Sequence, residues 1–142
     1  MTTSTQEMGM PPPNRFDVFA TREGGMGTVY FCHDKLLDMD VALKTIKPGK
    51  ETSTTDRMLA TFSREARIWI ELGSLKEIVQ AFYILTVESG SHLTPYLGLE
   101  YIVGKEDIGV TLADWIRKKR LTRELTLQFA IQISQGMASV TR

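Results

Sequence analysis

Residues 19–34 read FATREGGMGTVYFCHD, and this stretch limits the chain more than any other. Two β-prone runs, at about residues 16–21 and 28–33, are interrupted by Gly24, Gly25 and Gly27, three glycines within four positions. Such a break cannot continue a helix. It reads as a hairpin whose turn carries almost no side chains. A turn of that kind can bring backbone N–H groups close to a ligand and cover phosphates, or it can be an ordinary loose hairpin turn, which Gly-Gly alone satisfies. A third strand-like run, MDVALKTIK (39–47), follows, then the turn-rich PGKETSTTD (48–56) and a helical stretch RMLATFSREARIWIELG (57–73). EIVQAFYILTVES and TPYLGLEYIV read as two more strands, with Gly90 and Ser91 in the turn between them. The pattern then turns helical, at TLADWIRKKR and again at LTLQFAIQISQGMASVTR. The expected class is α+β, an antiparallel sheet of about five strands with one packed helix, followed by further helices.

Composition narrows the function classes. The 142 residues have room for about one ordinary domain. Lysine and arginine total 17 against 17 aspartates and glutamates, so nothing in the charge points to nucleic acid or an acidic membrane surface. The basic cluster IRKKR (116–120) ends a helix, where positive charge is favourable, and no aromatic platform accompanies it. A single cysteine, Cys32, excludes an internal disulfide and reads as a small buried apolar side chain. No apolar run approaches the ~20 residues of a membrane span, and no signal peptide is visible. A cytoplasmic protein is the expectation. Residues 1–14, Ser/Thr-rich and ending near three prolines, read as a flexible leader.

The helix at 57–73 carries chemical information. With Met58 at zero and about 100° per residue, Phe62, Trp69 and Leu72 fall within about 40° of it, an apolar stripe. Glu65 falls about 20° away, inside that stripe, and Gly73 stands where a C-terminal cap belongs. A carboxylate in a core-facing stripe is costly unless a cation pairs with it; at the edge of the stripe it would reach solvent instead. A candidate cation lies in the third strand. Alternation puts Lys44 on the same face as Ala42 and Ile46, with Val41, Leu43 and Thr45 on the other. A lysine in a strand is ordinarily a solvated edge residue; the need of Glu65 for a cation, and of Lys44 for an anion, favours a pair.

EGGMGTVY, VALK and FSREARIWIELG, in that order, resemble the N-terminal lobe of eukaryotic-type (Hanks-type) serine/threonine protein kinases. EIVQAFYIL is similar to the stretch after that lobe's helix, PYLGLEYI to its last strand and hinge, TLADWI to the first helix of the C-terminal lobe, and LQFAIQISQGMASV to the start of the long helix that follows. The resemblance runs from about Arg15 to the last residue. It implies an N-lobe over 15–103 and the beginning of an incomplete helical C-lobe over 104–142. It also implies roles by position. Gly24, Gly25, Met26 and Gly27 would form the phosphate-covering turn, and Val29 and Ala42 the apolar ceiling over adenine. Lys44 would contact the α- and β-phosphates of ATP and pair with Glu65, these two being the catalytic residues the chain contains. Leu99 would be the gatekeeper, and the Glu100 carbonyl and Ile102 backbone the hinge that bonds the adenine edge.

The departures from the family pattern matter equally. The family's first glycine is Arg22 here, preceded by Thr21, and SLKE replaces the usual His-Pro-Asn stretch. GKEDIGV is inserted after the hinge. No H-R-D, D-F-G or A-P-E occurs, and neither His33 nor His92 is followed by Arg-Asp, so both read as surface or turn residues. The resemblance therefore implies the ATP-binding part of a kinase that, at full length, transfers the γ-phosphate of ATP to protein hydroxyls. This chain is expected to be truncated and inactive alone, with magnesium bound only together with ligands from the missing lobe. A pseudokinase-like protein-binding module with weak or no nucleotide binding is the alternative, and a plain α+β scaffold a third reading. The stripe Leu125, Phe129, Ile133, Gly136 and Val140 is expected to lie exposed, which predicts self-association, a partner or poor solubility.

Overall fold

A computed structural model describes residues 10–25, 27–46, 52–89 and 92–141, without the side chains of 52–55, 89 and 92. The elements run β1 (Phe16–Glu23), β2 (Gly27–Asp34), β3 (Met39–Ile46), α1 (Thr52–Glu71), β4 (Ala81–Ser89), β5 (His92–Glu100), α2 (Leu112–Arg117) and α3 (Arg123–Val140). The strands form one antiparallel sheet in the order β1-β2-β3-β5-β4, which is the expected α+β architecture. The chain divides into two units. The first holds residues 1–71 and 81–101; the second holds 72–80 and 102–142. The connection between α1 and β4 thus groups with the C-terminal helices, a division sequence order alone does not suggest.

In the first unit, one face of the sheet closes over a core of Phe16, Tyr30, Cys32, Val41, Leu43 and Tyr96, with Val18, Phe82, Tyr83 and Leu85 packed against it. Tyr30 and Tyr96 meet at 6.4 Å between ring centroids. Cys32 is fully buried, as its reading required, and burial pushes its thiol up to about 12. A second buried set, Ala42, Ala81, Leu97 and Leu99 on the sheet's other face and Phe62 and Ala66 on α1, lies outside that cluster. α1 packs against β4, and less extensively against β3 and β5.

Among the described residues, the core face carries one buried carboxylate. Asp34 ends β2 with no solvent exposure and accepts from Arg15 Nε and Nη2 at 3.0 and 2.7 Å, from the Tyr83 hydroxyl at 2.7 Å and from the Leu36 N–H at 3.0 Å. Burial alone would raise this carboxyl; the hydrogen bonds from Arg15, Tyr83 and Leu36 outweigh it and hold Asp34 at about 2. Tyr83 lies over Gly98, where an added Cβ would come within 2.6 Å of its ring. The network ties the start of β1, the end of β2 and β4 together. It also orders part of the supposed leader: Pro11 is buried, and the carbonyls of Pro12 and Pro13 accept from the Phe16 N–H and from Lys35 Nζ. Residues 1–9 lie outside the described residues.

Several element boundaries differ from the sequence reading: β4 begins at Ala81 rather than 77, β5 runs His92–Glu100 rather than 94–103, and α2 ends at Arg117 rather than 120. α1 starts at Thr52 rather than 57, because serines and threonines, poor in a helix interior, are tolerated in its first turn. α3 starts at Arg123, two residues early, with Thr122 as cap: its hydroxyl accepts from the Leu125 N–H at 3.1 Å. Gly73 sits past the end of α1 at φ +65°, the left-handed conformation its role as a cap requires.

In the second unit, α2 is opened by a reciprocal Thr111–Asp114 capping box. The inserted GKEDIGV segment folds back on itself through a Lys105–Gly109 bridge, burying Ile108. Asp107 is held by Arg120 at 2.9 Å, and its carbonyl accepts from Lys118 Nζ at 2.8 Å, so two of the four cations in the basic cluster engage this loop. Trp115 meets Phe129 edge-on at 5.5 Å.

Candidate nucleotide-binding face

Antiparallel register decides which side chains share a face, because directly paired residues point the same way. Arg22 pairs with Val29, Val29 with Lys44, and Lys44 with Leu97. Ala20, Phe31, Ala42, Leu99 and Ala81 form the next row on the same side. Val29, Ala42, Lys44 and Leu99, named separately from the sequence, therefore stand on one face, opposite the Leu43–Tyr96 core. Phe31 and Leu97 belong to that face too; alternation from Val29 and Leu99 would have found both. At the hinge end, Tyr101 receives Phe31 and Phe19, each at 5.6 Å between centroids.

The glycine turn lies at the end of this face. Gly24 donates its N–H to the Gly27 carbonyl at 2.9 Å, closing the hairpin. The glycines are not equivalent. A Cβ on Gly27 would lie 2.0 Å from the Thr45 carbonyl oxygen, so the close passage of β3 demands glycine there. A Cβ on Gly25 would meet nothing within 4 Å, and one on Gly24 only the Gly27 carbonyl at 3.8 Å. No packing demand explains those two. Met26 lies outside the described residues.

The expected Lys44–Glu65 pair is not formed. Lys44 is half-buried and Glu65 exposed, and among the described residues no ion pair joins them or engages either side chain. The physical reason lies in the helix. Among its described side chains the buried ones are Phe62 and Ala66, so the inward face centres between them, about 80° from Glu65. Weighting the stripe by large side chains alone passes over Ala66 and draws Glu65 inward; the edge position is the one observed. Glu100 is exposed in the last position of β5, and Ile102, 42% exposed, is grouped with the second unit.

His33 is accounted for outside any catalytic site. Its Nδ1 lies 2.9 Å from Asp40 and its Nε2 3.3 Å from Asp38, and the hydrogen bond with Asp40, ahead of that with Asp38, raises its pKa. Among the described residues there is no group of three or more His, Cys, Asp or Glu side chains able to hold a metal ion, and no helix is long and apolar enough to cross a membrane.

No family model matches the chain. It is 31% identical over 120 residues to a serine/threonine-protein kinase of Corynebacterium efficiens, and 31% identical over 129 residues to one of Streptomyces coelicolor. It is 28% identical over 120 residues to one of Corynebacterium glutamicum. Each comparison covers 84% of this chain but only 22–24% of the relative, so the chain spans less than a quarter of the length of the curated relatives it matches. By sequence, and by a five-stranded antiparallel sheet with its packed helix, the chain is kinase-like, a homologue of a fragment of the serine/threonine-protein kinases.

Proposed function

We infer that the sheet unit binds ATP, as the nucleotide-holding part of a serine/threonine protein kinase. The observation that carries this reading is the register that gathers Val29, Ala42, Lys44 and Leu99 on one face, beside a turn whose Gly24 and Gly25 no local packing requires. An apolar wall suits a purine ring. An ammonium with no ion-pair partner among the described residues suits the α- and β-phosphates. A turn without side chains lets backbone N–H groups approach a phosphate. Gly24, Gly25, Met26 and Gly27 are assigned to the phosphates, Val29, Ala42 and Leu99 to the adenine, and Glu100 and Ile102 to its edge by backbone hydrogen bonds. By the kinase resemblance, Glu65 is assigned to orienting Lys44.

Transfer of the γ-phosphate to a protein hydroxyl is proposed for a longer kinase. Among the 142 residues no H-R-D or D-F-G provides a base or magnesium ligands. Thermal denaturation with and without ATP tests the reading. Ligand at about 100 times its dissociation constant stabilises the folded state by about 2.7 kcal/mol, and Lys44→Met should abolish most of that gain. A parent chain whose melting ATP leaves unmoved would favour the second reading, a pseudokinase-like protein-binding module. The open Lys44–Glu65 pair and the exposed apolar residues of α3 favour that alternative.

A further inference from the structure

We propose that Arg22, standing where the kinase pattern has a glycine, is a second phosphate-binding cation working beside Lys44. The inference rests on the nucleotide reading above and adds a residue to it. Arg22 is the third residue of β1's paired segment after its irregularity at Phe19, and it faces Val29 across the ladder. Val29 in turn faces Lys44. Arg22 and Lys44 therefore rise from the same face in one row, two strands apart, about 10 Å at the usual strand spacing, with the apolar Val29 between them.

Three further observations support the assignment. Arg22 lies inside the strand, before the turn that the Gly24–Gly27 hydrogen bond closes. Extended backbone there suits any residue, so the arginine does not disturb the turn. Its side chain is exposed, and among the described residues it has no ion-pair or hydrogen-bond partner. Where other basic residues of the chain are engaged, as Arg15 is with Asp34 and Arg120 with Asp107, Arg22 and Lys44 have no ion-pair partner among the described residues. A guanidinium presents a planar fork that meets two phosphate oxygens at once, whereas the Lys44 ammonium acts as a point charge. The ligand class that uses both cations together with an apolar wall is a nucleoside polyphosphate. A nucleoside without phosphates would use the wall alone.

Titration of ATP and of adenosine into the parent chain, Arg22→Ala and Arg22→Lys, each also checked for unchanged melting, tests the proposal. Loss of one charge-assisted contact should weaken ATP by about tenfold in Arg22→Ala. Adenosine affinity should stay unchanged, and Arg22→Lys should recover part of the loss. The dependence of ATP affinity on salt should also be shallower in Arg22→Ala. Parent and Arg22→Ala binding ATP equally, or the variant binding it more tightly, would overturn the role of Arg22 while leaving the nucleotide reading in place. A parent chain that binds neither ATP nor adenosine would overturn both.

Discussion

The sheet unit and the helical unit solve the problem of burial differently. In the sheet unit, Cys32, Val41 and Leu43 are fully buried, and the enclosed carboxylate of Asp34 is satisfied by an arginine, a tyrosine and backbone N–H groups. In the helical unit, Ile108 and Gly136 are buried, while Leu112, Ile116, Leu127, Ile131, Ile133, Met137 and Val140 are all more than 40% exposed. The expected stripe on α3 is only partly of this exposed kind: Leu125 and Phe129 are half-buried and Gly136 is covered, while Ile133 and Val140 stay open. A shallow apolar groove runs beside it, along Leu127, Ala130, Ile131, Ser134 and Ala138. Tertiary packing thus holds the sheet, whereas caps and local loops do much of the holding in the helices. Stability should be concentrated in the first unit, and solution behaviour governed by the second.

The sharpest way to break this contrast is Leu43→Ala. Removing a side chain with no exposure from a packed core should cost about 3 kcal/mol in urea unfolding. A loss under about 1 kcal/mol would mean that the sheet core is not the main source of stability.

Acid should produce the next effect. Asp34 sits at about 2 in the folded chain, below the ~3.9 of an unfolded aspartate. A depressed carboxyl contributes stability that is present above pH 4 and is lost as pH falls from about 4 to 2. The amount is on the order of 2 kcal/mol. Urea titrations at stepped pH should show that loss in the parent and a flatter profile in Asp34→Asn, from a lower starting stability.

The smallest change is expected from Ile131→Ser, at a residue 57% exposed. Unfolding free energy should move by no more than about 0.5 kcal/mol. If α3 mediates self-association, the molar mass in sedimentation should fall toward that of a monomer. A large destabilisation would show that α3 is covered in solution and would remove the distinction between the units.

Much of the fold was legible in the sequence. Runs of β-branched and aromatic residues, punctuated by glycine, marked all five strands, and Gly73 marked the end of α1. Strict alternation also put Lys44 beside Ala42 and opposite Leu43, as observed. Helix azimuth was less legible, since Ala66 is small and contributes little to an apolar stripe although it is almost fully buried. That one omission turned Glu65 inward by the width of about one residue. The Asp34 network escaped for a different reason: Arg15, Asp34 and Tyr83 lie far apart in the chain, and only the pairing of the strands brings them together. The mixed membership of the second unit, with 72–80 joined to 102–142, likewise follows from contacts such as Glu77 against Gly136, which no local pattern announces.

The irregularity at Phe19 has a consequence for how β1 can change. Phe16 and Val18 pair with Asp34 and Cys32 on the core face, yet Ala20 pairs with Phe31 on the opposite face. One additional residue has reversed the strand's parity, and without it Arg22 would point into the core and Thr21 toward Lys44. β1 therefore has two tenants under one backbone: Phe16 and Val18 serve the core, whereas Ala20 and Arg22 stand on the opposite face, where the nucleotide is proposed to bind. Substitutions before residue 19 should register in melting curves and those after it in affinities, so that the two properties can evolve along a single strand almost independently.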